Sequence, residues 1–270
     1  MIATHTIQEK GIAVGKDVIF YYDNLAGEPV LFFIHGSFIN KDYWQKQLYH
    51  FASHFRVIAI DLVGHGKSTT NRENITIDQY GNDILAIINQ LGLKNVILIG
   101  HSIGGDIMLA ANEKNDKNII GLIGVDYFEN VGSQLPDNAI NQIMTDLRNN
   151  FINTNVAYAK NVLLTEKTDQ IITERVVQDF RSISPRVAIP MNDDFFHFPK
   201  KEEALLKKLD KKLYLVNSDY QPTNEMSLKK VLKDNYELKI IKGTCHFPMI
   251  ENPGELNTAI EGFVQEMLDK

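Results

Sequence analysis

The chain has a single cysteine, Cys245, among its 270 residues. No intramolecular disulfide can form from it, and no thiolate zinc cluster can be assembled. Stability must then rest on packing, and a reducing, cytoplasmic setting is the expectation. Long apolar runs are also missing: no stretch reaches the ~18 consecutive apolar residues that a membrane span requires. The opening MIATHTIQEK lacks the cationic start and apolar core of a secretory signal, so neither a membrane nor an export route is expected. Positive charge is in deficit. With 28 Lys and Arg against 34 Asp and Glu, the formal net charge is −6, which gives no general pull toward phosphate backbones or anionic lipid. Nucleic acid is disfavoured as a partner. Gly/Ser linkers, low-complexity stretches and internal repeats are absent too, so nothing marks the chain into separate modules.

What remains is the composition of an ordinary globular protein, 44% hydrophobic and 23% charged, long enough to bury most of its apolar surface. Short apolar runs alternate with segments of helical period, the pattern of a mostly parallel sheet covered by helices. Strands are expected at 18–22, 30–35, 56–61, 96–100, 119–125, 212–217 and 237–241. VLFFI, VIAI, VILI and IIGLIGV have no polar alternation, so both faces of those strands should be covered. Helices are expected at 76–91, with Ile77, Tyr80, Ile84, Ile87, Ile88 and Leu91 on one stripe, at 103–112 and at 254–268.

From 127 to 201 the pattern reads as helices only, with candidate N-caps at Thr154 and Thr168 and a stop at Ser184-Pro185. The expected division is an α/β core made of 1–126 and 202–270 with a helical lid, 127–201, inserted between. Phe195-Phe196-His197-Phe198 is the local aromatic concentration. Its expected role is packing of lid on body, since adjacent aromatics at a junction bury well without a ligand.

Gly100-His101-Ser102-Ile103-Gly104 stands directly after the strand VILI and directly before an apolar helix. A serine in this G-x-S-x-G setting sits on a sharp, strained turn that lifts its hydroxyl above the sheet. The following helix aims its N-terminus at the same place, so the Ile103 N–H can stabilise an oxyanion. A serine hydroxyl is a weak nucleophile and needs a base, with an acid to fix that base's tautomer. Of the histidines, His5, His50, His54 and His65 fall in segments that read as surface, and His101 points off the turn. His246 follows the last expected strand and precedes the final helix, a loop that opens at the carboxyl edge of the sheet with Ser102. It is the expected base. Asp219, just past the strand ending at Asn217, is the first choice for the acid. Asp126, ending the strand before the lid, is its competitor.

His35-Gly36-Ser37-Phe38 follows VLFFI and should present the Ser37 N–H toward the oxyanion, with His35 making a loop hydrogen bond. Asp61-Leu62-Val63-Gly64-His65-Gly66-Lys67-Ser68 ends like a phosphate loop, but Asp61 occupies the position where that motif requires its first glycine. No zincin or calcium-loop spacing occurs, so no metal or other cofactor is expected.

Together, HGS, DLVGHGKS, GHSIGG and GTCHFPMIENP resemble the α/β-hydrolase superfamily, over roughly residues 15–126 and 200–270. The resemblance implies Ser102 as nucleophile, His246 as general base, the N–H groups of Ser37 and Ile103 as oxyanion hole with Phe38 as alternate, and a helical cap. One departure stands out. If Ser218 takes the place of the family's usual glycine, Gln221 falls where the acid belongs. Dehalogenases and epoxide hydrolases of the superfamily carry aspartate at the turn, so a serine implies acyl transfer. The expected function is a serine hydrolase of a small-molecule ester, thioester or lactone. A ligand-binding or sensing protein on the same fold, and a cofactor-free perhydrolase or carbon–carbon bond hydrolase, are the competing readings.

Overall fold

Uninterrupted apolar runs bury both faces only at the centre of a covered sheet, and that is where they lie. The computed structural model describes residues 6–73, 75–114 and 117–269; His5 lies outside them. Among the described residues there are eight strands: β1 (Gln8–Val14), β2 (Asp17–Asp23), β3 (Val30–Ile34), β4 (Arg56–Ile60), β5 (Val96–His101), β6 (Ile119–Val125), β7 (Leu213–Ser218) and β8 (Tyr236–Ile241). They form one sheet in the order β1-β2-β4-β3-β5-β6-β7-β8. The first two strands pair antiparallel with each other, β2 pairs antiparallel with β4, and the remaining pairs are parallel. Every residue of β3, β5 and β7 is buried.

All seven expected strands are present. The eighth, β1, was not expected, because its short QEKGIAV run carries little apolar signal. It exists as one arm of an edge hairpin, closed between Val14 and Asp17 by a turn with Gly15 at φ +61°.

The helices are α1 (Gln45–Phe51), α2 (Ile77–Gln90), α3 (Gly104–Lys114), α4 (Asp137–Asn149), α5 (Phe151–Tyr158), α6 (Gln170–Ser182), α7 (Pro185–His197), α8 (Pro199–Lys207), α9 (Glu225–Leu232), α10 (Pro248–Glu251) and α11 (Pro253–Leu268). Helices α2 and α3 pack together, as do α1 and α11. The α2 stripe is buried as its period requires, and the Thr76 side chain caps it by accepting from the Gln79 N–H.

Helices α4 to α8 occupy the stretch between β6 and β7, and the last of them runs on to Lys207. Their caps differ from expectation. Thr154 lies inside α5 and donates to the Asp146 carbonyl, while α6 is capped by Asp169 rather than Thr168. Ser184-Pro185 ends one helix and also begins the next: Ser184 caps α7 with Pro185 in its first turn, where the missing N–H costs nothing. This helical layer is tied to the sheet domain by polar contacts, Tyr43 donating to Asp179 at 2.8 Å and Asp194 accepting the Ile77 N–H at 2.7 Å.

The Asp61-to-Ser68 loop is a structural knot. Buried Asp61 accepts from the Lys41 N–H, the Lys41 ammonium and the Lys67 N–H, at 2.8 to 2.9 Å. His65, read as surface, is buried here, its Nδ1 3.2 Å from the Val63 carbonyl. Burial lowers its pKa to about 4, so the ring stays neutral. Asp61→Ala would leave the buried Lys41 ammonium without its closest carboxylate, held by the more exposed Glu9 and the face of the Tyr22 ring. Thermal denaturation should show a loss of roughly 3–5 kcal/mol, a fall in Tm of about 10 °C; an unchanged melt would contradict this role.

Candidate active site

The turn joining β5 to α3 is tight because glycine stands on both sides of the serine. A Cβ on Gly100 would collide with the backbone of Gly104, and one on Gly104 would lie 2.7 Å from the Ile34 carbonyl oxygen. Ser102 itself sits at φ +53°, in the left-handed region that a non-glycine residue enters only under constraint. Two backbone bonds hold it there: its N–H donates to Val125 at 3.1 Å and its carbonyl accepts from Gly105 at 2.7 Å. The loop after β3 lies directly on this turn, since a Cβ on Gly36 would stand 2.9 Å from the Ser102 Cβ. Among the described residues no protein acceptor is bonded to the N–H of Ser37, Phe38 or Ile103.

Ser102 and His246 line one cavity of about 450 Å³. Ser37 and Phe38 also line it. Its far wall is built by the helical layer, with Leu147 from α4, Tyr158 from α5, Phe180 from α6 and both Phe195 and Phe196 from α7. Phe195 and Phe196 of the expected packing cluster therefore line the cavity while also packing, partly buried, against the apolar clusters beneath, and Phe198 is buried in the core.

The His246 imidazole is fixed on one side by a carboxylate, and it is not the one expected. Asp126 Oδ2 lies 2.6 Å from His246 Nδ1. Asp219 is exposed and points away: its carboxylate accepts the Gly243 N–H at 2.7 Å, pinning the loop that leads from β8 to His246. The reason is topological. The end of β6 adjoins β5 in the sheet, so Asp126 emerges beside Ser102, and its φ of +51° turns the side chain back across the sheet edge. At the end of β7, Ser218 donates its N–H and its hydroxyl to Asp126 Oδ1, both at 2.6 Å. Burial alone would raise the Asp126 pKa, but the His246 hydrogen bond and charge and the two Ser218 bonds outweigh it, and the carboxyl titrates below its ordinary range. Gln221, in the family's usual acid position, lines a second cavity of about 380 Å³.

Two further histidines hold the frame. His101 Nε2 lies 2.7 Å from the His246 carbonyl, so the proton of this ring is on Nε2. Burial, then the neighbouring His246, lowers its pKa to about 3. The His246 N–H in turn donates to Leu163, at the end of the helical turn that follows α5. His35 ties its own loop to the one after β4, Nε2 accepting the Leu62 N–H at 3.0 Å and Nδ1 meeting the Gly36 carbonyl at 2.8 Å.

Sequence reasoning missed Tyr220, whose hydroxyl lies 3.1 Å from His246 Nδ1, and Glu129. Ligand atoms of Asp126, Glu129 and His246 fall within 4.8 Å of one another, but Asp126 and the His246 Nδ1 are already committed to each other. No sequence motif marks Glu129 or Tyr220; both are placed by the chain's path beyond β6 and β7.

The chain belongs to the α/β-hydrolase fold family, whose model matches residues 29–253. Among curated proteins it is 39% identical over 89 residues to a bifunctional esterase/perhydrolase of Acinetobacter calcoaceticus, the match covering 32% of each chain. It is 40% identical over 88 residues to a non-heme haloperoxidase of Rhodococcus erythropolis, again over 32% of each. The matched stretch thus spans about a third of the length of these relatives. In three dimensions it resembles a thermophilic esterase of Thermogutta terrifontis, with a TM-score of 0.82 at 18% identity over 96% of this chain and 99% of that one. Among the described residues no helix is long and apolar enough to cross a membrane.

Proposed function

We propose that the protein is a serine hydrolase that cleaves a carboxylic ester, thioester or lactone through an acyl-enzyme, with helices α4 to α8 as the cap over the site. The observation that carries this reading is a His246 imidazole paired with buried Asp126 and lining the same cavity as a serine on a strained turn. With Asp126 accepting from Nδ1, the imidazole is held in the tautomer whose Nε2 is free to take the Ser102 proton. The Ser102 oxygen attacks the substrate carbonyl, and the N–H of Ile103 with that of Ser37 or its neighbour Phe38 receives the oxyanion. His246 returns the proton to the leaving alkoxide or thiolate. Water then repeats the sequence on the acyl-enzyme, releasing the acid and restoring the serine.

The cavity lining is chiefly Leu, Ile, Phe, Val and Tyr, and among the described lining residues there is no Asp, Glu, Lys or Arg. A neutral, apolar acyl group fits such walls, whereas a carboxylate would be desolvated without a partner. In an assay of p-nitrophenyl esters, kcat/KM should rise about three- to fourfold per added methylene from acetate until the cavity is filled. A succinate monoester should be turned over poorly. Absence of turnover across the series, or preference for the charged acyl group, would contradict the reading. The names of the relatives favour one variant of the same chemistry: hydrogen peroxide in place of water would release a peracid from the acyl-enzyme. Peracid formation in peroxide-containing assays tests it.

A further inference from the structure

The chemistry above makes no use of Glu129, three residues beyond Asp126. Yet a carboxylate oxygen of Glu129, one of Asp126 and a ring nitrogen of His246 all lie within 4.8 Å of one another. Glu129 Oε1 is buried and has no hydrogen-bond partner among the described residues. Its backbone is anchored, the carbonyl accepting the Asn224 N–H at 2.7 Å. The groups around the side chain, besides Asp126 and His246, are the phenols Tyr127, Tyr158 and Tyr220, and Glu202 shares the second cavity with it. Burial first, then the charge of Asp126, raises the Glu129 carboxyl to about 7, with His246 acting in the opposite sense. Its charge therefore changes in the range where a histidine-based hydrolase works.

The geometry points to Glu129 as a positioning residue that acts through His246: ionised, it adds a second negative charge beside the imidazole and stabilises the imidazolium formed as Ser102 gives up its proton. The second cavity, which Glu129 lines, gives the carboxyl a route to exchange protons with water. This inference rests on the acyl-enzyme reading. When Glu129 is protonated the added charge is gone, so its benefit must grow as pH rises through its titration.

The test is kcat/KM for p-nitrophenyl butyrate, native against Glu129→Gln, from about pH 5.5 to about pH 8.5. The native-to-variant ratio should be near one at the acid end and rise to roughly three- to tenfold at the alkaline end, with the rise centred near the Glu129 titration at about 7. A merely structural role would lower activity by the same factor at every pH. A flat ratio, or one largest in acid, overturns the proposal. Glu129→Asp keeps a titrating group and should restore part of the rise; if the Gln variant does not fold, the slope of Asp against Glu129→Ala decides in the same way. Ser102→Ala is run alongside. Turnover surviving in that variant removes the nucleophile, whereas an inactive Ser102→Ala with a flat ratio removes only the role of Glu129.

Discussion

Asp126→Asn is expected to lower kcat by roughly a thousand- to ten-thousandfold with KM little changed, while Asp219→Asn stays within about twofold of native. The asymmetry follows from what each carboxylate touches. An amide at 126 can still accept from Ser218 through its oxygen, so the fold survives, but its NH₂ would face His246 Nδ1. That contact favours the tautomer with the proton on Nε2, which cannot receive one from Ser102. Among the described residues the Asp219 carboxylate holds only the Gly243 N–H, at the surface. The depressed Asp126 pKa adds a stability signature. The contribution of this carboxyl is complete above the unfolded value of about 3.9 and is lost as pH falls through the lower folded one. Acid unfolding of Asp126→Asn should therefore be less steep there. Activity lost in Asp219→Asn and kept in Asp126→Asn would reverse the assignment.

Ser102→Ala carries the largest expected effect, a fall in kcat of roughly 10⁵ to 10⁶, since a residue acting in one unit with its base takes most of the catalysis with it. Folding should be unimpaired. The left-handed backbone at position 102 predicts more: Ser102→Gly should be equally inactive but more stable than Ser102→Ala by about 1 kcal/mol, because glycine enters that region without strain. A melt in which glycine gives no gain would mean the turn is not strained.

The sheet was legible because its central strands are continuous apolar runs, and the serine turn because glycines on both sides of a residue between strand and helix have few other uses. The place of His246 at the carboxyl edge was legible from its position after the last strand. The carboxylate that pairs with its ring was not, because that pairing depends on strand adjacency. Both Asp126 and Asp219 end strands in the sequence, and only the order β5-β6-β7 with the positive φ at Asp126 decides which one reaches back. His65 was misread as surface for a related reason. Polar loops normally run outside, but this one folds around Asp61 and Lys41, a buried ion pair that residues twenty positions apart do not announce. The two cavity-lining phenylalanines of α7 carry no signal that separates lining a cavity from filling a core.

A Ser102 hydroxyl activated as a nucleophile by His246 should react with a fluorophosphonate, and intact-mass measurement after exposure to one reads that reaction out. Native protein should gain one phosphonyl group, with the adduct mapped to Ser102, and Ser102→Ala should gain none. An unmodified native protein, or label on Ser102→Ala at the native rate, would mean that Ser102 is not the nucleophile.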